Sequence, residues 1–424
     1  MIRITCMRMS RRIPVKHIPI HLALKIIREA SARISSITVL PLNEAVYRVL
    51  AEDVFCEADS PSRPISHYDG YAVRSADTID ASSRNPSSLK LVEKEENRLG
   101  IGEAAHVRTG FPLPEGADAV IPVEAVKIEG GQIHIYAPAR RGQHVIEVGA
   151  EARRGEKLFR RGRMLKPQDI VLLSKLGRLR VKVFEKPRVS LISIGDELTK
   201  NIEDVGDGKI LDTHGLLVSS LIKVYGGELT NYDIASDDVD DIRGKISTIS
   251  KNSDIIVTVG GSGVGVKDLV PEAVKGLPKA GFLFRGIKTQ PGKMTGLAMI
   301  GDKALVMLPG NIQSTFAGSY FILQPLIRFA QNLPAFIKGH RVEAILSRDV
   351  KFHPFEGFMK MRFFKLERHG SEIYAKPLSA ISWLSRSLVD ASGFAIIPSG
   401  VASLKSGTRI MVRDFPGIFN PVYT

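Results

Sequence analysis

Apolar residues recur along this chain with two different periods, and the changes between them divide it. Over residues 17–37, Leu22, Leu24, Ile26, Ile27 and Ile34 form the stripe of an amphipathic helix. Residues 43–53 carry a second, shorter helical pattern ending near Val54-Phe55-Cys56. From Ser60 the texture becomes strand-like. Residues 88–93, 104–108, 119–122, 125–129 and 132–136 are short β-forming runs separated by glycine and proline, which predicts a small β-rich module inserted into the chain. Residues 168–176 return to a helical pattern, with Pro167 where a first turn tolerates it and Gly177 where a helix stops.

After Lys186-Pro187 strands and helices alternate. Residues 188–194 open onto Gly195-Asp196-Glu197-Leu198, and residues 254–259 onto Gly260-Gly261-Ser262-Gly263-Val264-Gly265. Two further loops are Gln290-Pro291-Gly292-Lys293 and Leu308-Pro309-Gly310-Asn311. Helical patterns cover residues 213–225, 239–251 and 269–274, and a long apolar one covers 311–331, expected to be buried on one face. The alternation predicts an α/β domain with a parallel-rich sheet. Such sheets bind ligands outside the carboxyl ends of their strands, so the four loops are expected to converge on one site. Beyond the Leu333-Pro334 linker, residues 343–346, 359–366, 373–376, 394–397 and 409–412 predict a small β-domain.

Composition narrows the class. The length of 424 residues suggests on the order of two to four domains. Hydrophobic residues at 44% and charged residues at 25% are ordinary for a soluble globular protein, and no apolar run reaches the roughly 18 residues needed to span a bilayer. Cys6 and Cys56 suggest no disulfide framework, which fits a reducing cytoplasm. Residues 1–16 read as a basic tail, with Arg3, Arg8, Arg11 and Arg12 but no signal-peptide core. The net charge of +14 raises nucleic-acid binding. Its Lys and Arg are dispersed with little aromatic interleaving, and no recognition motif appears, so an anionic small ligand is the better reading.

The loops combine glycines, carboxylates and a lysine, which suits a phosphate-bearing ligand with a divalent metal. Gly260, Gly261, Ser262, Gly263 and Gly265 let backbone amides approach an anion, although the same glycines can serve a tight strand-to-helix turn. The spacing fits neither a Walker A loop nor a dinucleotide fingerprint. Pro309-Gly310-Asn311 precedes the long helix, where Asn311 is a good N-cap and a helix N-terminus attracts phosphate. Asp212 either caps the helix that follows it or joins Glu197 and Asp268 in holding Mg²⁺. Lys293 is either a solvated loop lysine or a point charge on an anionic substrate. Ser66 to Ala72 is a polar, aromatic turn, and His214 is the one histidine near the loops.

Taken in order, these segments resemble the molybdopterin molybdenumtransferase family, the molybdenum insertases related to the E domain of gephyrin. The resemblance rests on Asp69-Gly70-Tyr71-Ala72-Val73, on Arg108-Thr109-Gly110 with Gly116-Ala117-Asp118-Ala119-Val120 and Glu124, and on the four loops with Asp212-Thr213. It implies four domains: an extended helical linker domain (17–58 and 147–185), the inserted β-rich module (59–146), a MogA-like molybdopterin-binding α/β domain (186–332) and a C-terminal β-barrel (333–424). It implies a homodimer that takes adenylylated molybdopterin, cleaves it in an Mg²⁺-dependent step with release of AMP, and places molybdate or tungstate on the dithiolene. A MogA/MoaB-type adenylyltransferase would be a partner, and no membrane is involved. Asp69, Thr109, Glu151, Glu197, Asp212, Asp268 and Lys293 would be the catalytic residues, with Glu197, Asp212 and Asp268 on the metal. Asp69 and Thr109 would act across the dimer. The chain departs from the family pattern at Glu151, Gln290, Ile312 and His67-Tyr68. Those departures leave a tungstate-preferring paralogue and a non-catalytic pterin-binding scaffold as alternatives.

Overall fold

The computed structural model describes residues 15–92, 98–261, 269–352, 357–381 and 383–415. The chain divides into two compact units, Leu40–Val181 and Met1–Val39 together with Lys182–Thr424.

The first unit is built on a six-stranded sheet in the order Ala119–Pro122, Gly70–Val73, Glu103–Val107, Ser87–Val92, Gln132–Ile135, Val126–Glu129. All neighbours are antiparallel except Ser87–Val92 and Glu103–Val107. Its core holds Tyr71, Val73, Leu89, Ala104, Ile121, Ile133 and Ile135. A helix at Pro167–Lys175 ends at Gly177, whose φ of +75° suits a glycine. Asp169 in its first turn takes a forked pair of bonds from Arg163, 3.0 and 2.7 Å, and a third from the Lys166 amide at 3.0 Å.

The short helix expected over 43–53 is not formed. The chain makes a single 3₁₀ turn at Leu42–Glu44 and then a strand at Val49–Leu50. Tyr47 sits at φ +60°, which breaks a helix, and the amides of Tyr47 and Leu50 bond across to the carbonyls of Leu165 and Arg163. Those long-range bonds replace the helical ones.

The second unit begins with helix α1 (Ile20–Ser31), then an α/β layer: β1 (Arg188–Ile194), α2 (Thr213–Tyr225), β2 (Glu228–Ala235), α3 (Val239–Ile249), β3 (Ile255–Val259), α4 (Leu269–Lys275), β4 (Ala280–Arg285), β5 (Gly296–Ile300) and β6 (Lys303–Leu308). The sheet order is β2-β1-β3-β6-β5-β4, with the first four strands parallel and the last two antiparallel. Alternate side chains serve opposite faces. Val189, Leu191, Ile255, Val257 and Val306 face α1, α2 and the long C-terminal helix, whereas Ile192, Ile194, Ile256, Leu305 and Met307 face α3 and α4. Burial on both faces explains why these strands read as continuous apolar runs.

The long helix follows as α5 (Ile312–Gly318), a π turn (Ser319–Leu323) and α6 (Gln324–Ala330). The wider turn lies just before Pro325, which has no N–H to give the carbonyl of Phe321; instead the Gln324 amide reaches back to Ser319. This helix is buried around nearly its whole girth rather than on one face. The sheet, α1, α2 and the C-terminal strands all pack against it. Those strands, β7 (Arg341–Leu346), β8 (Met359–His369), β9 (Glu372–Pro377), β10 (Gly393–Ile397) and β11 (Arg409–Arg413), pair in the closed ring β8-β9-β7-β11-β10-β8. The barrel interior holds Leu346, Phe364, Leu366, Ile397 and Val412.

Ring closure needs Gly393, because a Cβ there would stand 2.1 Å from the Arg413 carbonyl oxygen. Gly393→Ala is therefore expected to cost about 1–3 kcal/mol, read as a lower urea midpoint; an unchanged midpoint would show that the seam can spread at no cost.

Candidate active site

Parallel strands β1, β3 and β6 lie side by side and all stop at one edge of the sheet. The order β2-β1-β3 means that successive connections leave β1 in opposite directions, which opens a crevice between β1 and β3. Gly195 and Gly260 follow the two strands that flank it. Gly260 donates its amide to the Leu308 carbonyl at 3.1 Å. A Cβ on Gly260, whose φ is +89°, would stand 2.8 Å from the Ile194 carbonyl oxygen, and one on Gly310 would be 3.5 Å from the Gly260 Cα. Three of the four loops are thus in backbone contact. The fourth lies at the same edge, because β5 enters there, with Gly296 opposite Met307 of β6. Gly292 is held against the first turns of the long helix, where a Cβ would meet Ala317 at 3.1 Å. Gly260, Gly261, Pro309, Gly310, Asn311 and Lys293 therefore share one edge. Ser262, Gly263, Gly265 and Asp268 lie outside the described residues.

The carboxylates at this edge differ in what they already hold. Asp212 is only 2% exposed. Its Oδ1 accepts the Gly215 amide at 2.8 Å as the N-cap of α2, and its Oδ2 accepts the Tyr232 hydroxyl at 2.5 Å. Burial, then Asp212 itself, raises the Tyr232 phenol well above its ordinary range, so it remains a donor. Glu197 folds back over Gly195, where a Cβ would meet Oε2 at 2.6 Å. Asp196 fixes the neighbouring loop by accepting the Asp237 amide at 3.0 Å. Among the described residues no three His, Cys, Asp or Glu gather tightly enough to cage a metal. Asn311 occupies the N-cap position of α5 without a capping bond from its side chain, and its Oδ1 is buried and unpartnered. Thr315 ties down the same turn from the other side, donating from its Oγ1 to the carbonyls of Pro309 and Asn311.

A basic group stands behind the fourth loop. The segment from Val15 to Ile18 runs beside Gly286 to Lys288, with the Ile18 amide on the Gly286 carbonyl at 3.1 Å and the Lys288 amide on Ile18 at 2.8 Å. This places His17 near Lys293 and Lys288; burial, then those two charges, lowers its pKa. Gln290 pairs in parallel with Lys360, whose Nζ turns away to the Val401 carbonyl at 3.2 Å and so stays with the barrel. Sequence reading missed His17 and Lys288, because their meeting depends on two segments distant in the chain.

The other expected residues belong to the first unit. Asp69 precedes the strand Gly70–Val73 and Thr109 follows Glu103–Val107, adjacent strands of its sheet. Asp69 Oδ1 accepts the Thr109 amide at 2.7 Å and its hydroxyl at 3.1 Å, which hold the Asp69 carboxyl below the usual range. Glu151 pairs with Lys175 in a separate part of that unit.

Comparison with known proteins covers both units. Residues 18–177 match the MoeA N-terminal region (domain I and II), and residues 190–328 match a probable molybdopterin binding domain. A molybdopterin molybdenumtransferase from Bacillus subtilis is 30% identical over 385 residues, covering 88% of each chain. The chain belongs to the molybdopterin molybdenumtransferase family. A namesake from Staphylococcus aureus strain COL is 28% identical over 93% of this chain and 94% of its own. The crystal structure of a molybdopterin biosynthesis MoeA protein from Pyrococcus horikoshii superposes with a TM-score of 0.79 at 31% identity, over 95% of this chain and all of that one. The family fold, a MogA-like α/β domain with a closed five-stranded barrel, is therefore the fold of this chain.

Two outcomes follow for the site. Asp212→Ala removes a cap and strands the Tyr232 hydroxyl, so a loss of about 1–2 kcal/mol is expected in urea unfolding, with Asp212→Asn recovering most of it; equal stability of all three would mean that neither bond matters. Burial holds the His214 imidazole below the ordinary histidine range, against the opposing charge of Asp212. The unfolded chain then takes the proton more readily, so this contribution is complete above the ordinary histidine value of about 6.5 and is lost as pH falls below it. His214→Gln should flatten the decline in stability between about pH 7.5 and 5.5, measured by denaturation at each pH; an unaltered slope would count against it.

Proposed function

We propose that this protein acts in molybdenum cofactor biosynthesis as the insertase, taking adenylylated molybdopterin, cleaving it with release of AMP and placing molybdate on the dithiolene. The observation that carries this reading is the shared edge where Gly195, Gly260 and Gly310 bring three backbone loops together without side chains, beside Lys293. Such an edge admits a pyrophosphate close to backbone amides, and family membership supports a pterin as its other half.

Mg²⁺ would be held by Glu197, Asp212 and Asp268. The fit is best at Glu197, because the Asp212 oxygens already accept from Gly215 and Tyr232. Mg²⁺ uses one or two carboxylates together with substrate phosphate oxygens, so a full protein cage is not required. When bound, the ion would neutralise phosphate charge and stabilise the leaving group. Around it, Lys293 supplies a fixed positive charge for a phosphate or the oxyanion, and the amides after β3 and β6 orient the diphosphate. In a homodimer, Asp69 and Thr109 of a second copy would complete the site: Asp69, kept ionised by Thr109, is an acceptor for a substrate proton. Glu151 would act through its charge, shared with Lys175. A MogA/MoaB-type adenylyltransferase would supply the substrate, and the reaction would run in the cytoplasm. Among the described residues no helix is long and apolar enough to cross a membrane.

A second reading, a pterin-binding scaffold without turnover, is favoured by Gln290. It stands where the family resemblance expects a lysine, and its Oε1 is buried and unpartnered. The deciding assay is release of AMP from adenylylated molybdopterin, with Mg²⁺ or with EDTA, comparing molybdate with tungstate. Turnover that stops in EDTA is expected; tight binding without AMP would establish the scaffold. Gln290→Lys adds a cation between Lys288 and Lys293 and should raise affinity for the oxyanion. Unchanged molybdate and tungstate affinities would reject that role.

A further inference from the structure

We infer that Trp383 is a binding residue that stacks on the heteroaromatic ring of the same phosphate-bearing ligand; this rests on the function proposed above. Trp383 is the only tryptophan in the chain. Its side chain is 69% exposed, and Ile381 at 60% and Leu384 at 43% are exposed beside it. A cluster of large apolar side chains left in water marks a binding surface more often than a structural one.

Its position comes from Gln313. That residue is 1% exposed and lies two positions beyond Asn311, in the first turn of α5. Its Nε2 donates to the Ile381 carbonyl at 2.9 Å and toward that of Ser379 at 3.4 Å. The same Ile381 carbonyl accepts the Leu384 amide at 3.1 Å, closing a turn that contains Trp383. The indole is thus carried on a turn pinned to the helix that starts at the phosphate edge. Two residues of chain on each side of the Gln313–Ile381 bond span at most about 7 Å apiece, so with the glutamine side chain between them Trp383 lies within roughly 20 Å of Asn311, the length of an adenylylated pterin. The described residues of the edge are glycine and polar backbone, which suit phosphates and offer nothing flat to a ring. An exposed indole tethered within a ligand's reach of it supplies that surface, and base–aromatic stacking is tolerant of which ring is offered. The two rings available on adenylylated molybdopterin are the adenine and the pterin.

The test uses the full-length protein and its single tryptophan fluorophore. Tryptophan emission is followed while AMP and, separately under anaerobic conditions, molybdopterin are titrated; calorimetry then gives Kd for wild type, Trp383→Phe and Trp383→Ala. One ligand is expected to quench the emission and to bind Trp383→Ala about tenfold more weakly or worse, with Trp383→Phe close to wild type. Because the residue is exposed, thermal midpoints should match among the three. Quenching by AMP assigns the ring as adenine, and quenching by molybdopterin assigns it as pterin. Equal affinities of wild type and Trp383→Ala for both ligands would overturn the inference while leaving the proposed function standing. Failure of wild type to bind either ligand would overturn both.

Discussion

The site depends on how closely three pieces of backbone approach one another where the parallel strands end. Gly260 bonds to Leu308 on one side and passes within reach of the Ile194 carbonyl on the other, with Gly310 against its Cα. A side chain at this point would push β1, β3 and β6 apart at the place where the crevice forms. Its positive φ adds a second reason for glycine. The close spacing between the loops follows from this one absence of a Cβ.

The long helix connects this edge to the rest of its unit. It begins at Asn311, beside the glycines, and runs through the core between the sheet and the barrel. Phe316 meets Phe363 and Phe394 of the barrel edge-on, and Tyr320 stacks on Phe336 at 4.9 Å. Gln313 ties the 379–384 segment to the same helix, and Gly292 packs against it from the fourth loop. Substitutions on this helix would therefore be felt at several parts of the site together.

Electrostatics at the edge are divided between carboxylates with different duties. Asp212 is a buried structural acceptor as well as a candidate ligand, so activity lost on its removal cannot by itself be assigned to the metal. Glu197 has no such double role in the described contacts. Lys288 and Lys293 gather positive charge suited to an anion, and burial, then these two lysines, lowers the proton affinity of the neighbouring His17.

Much of this was legible in the chain itself. The alternation of apolar runs and glycine loops pointed to the parallel-rich sheet, the bounds of Thr213–Tyr225 and Ala119–Pro122 were read to the residue, and the motif order identified the family. Those features are local: strand runs, caps and turns act through neighbours within a few positions. Three things needed the tertiary structure. Residues 42–50 prefer partners near 163–165 over their own helical bonds. The long helix is enclosed on all sides because the barrel folds over a face that periodicity leaves open. His17 and Trp383 acquire meaning only from what packs beside them: a loop some 270 residues away for the first, and a buried glutamine about 70 residues away for the second. Local pattern determines which elements form, while the contacts that turn an edge into a site are made between segments whose separation along the chain carries no signal.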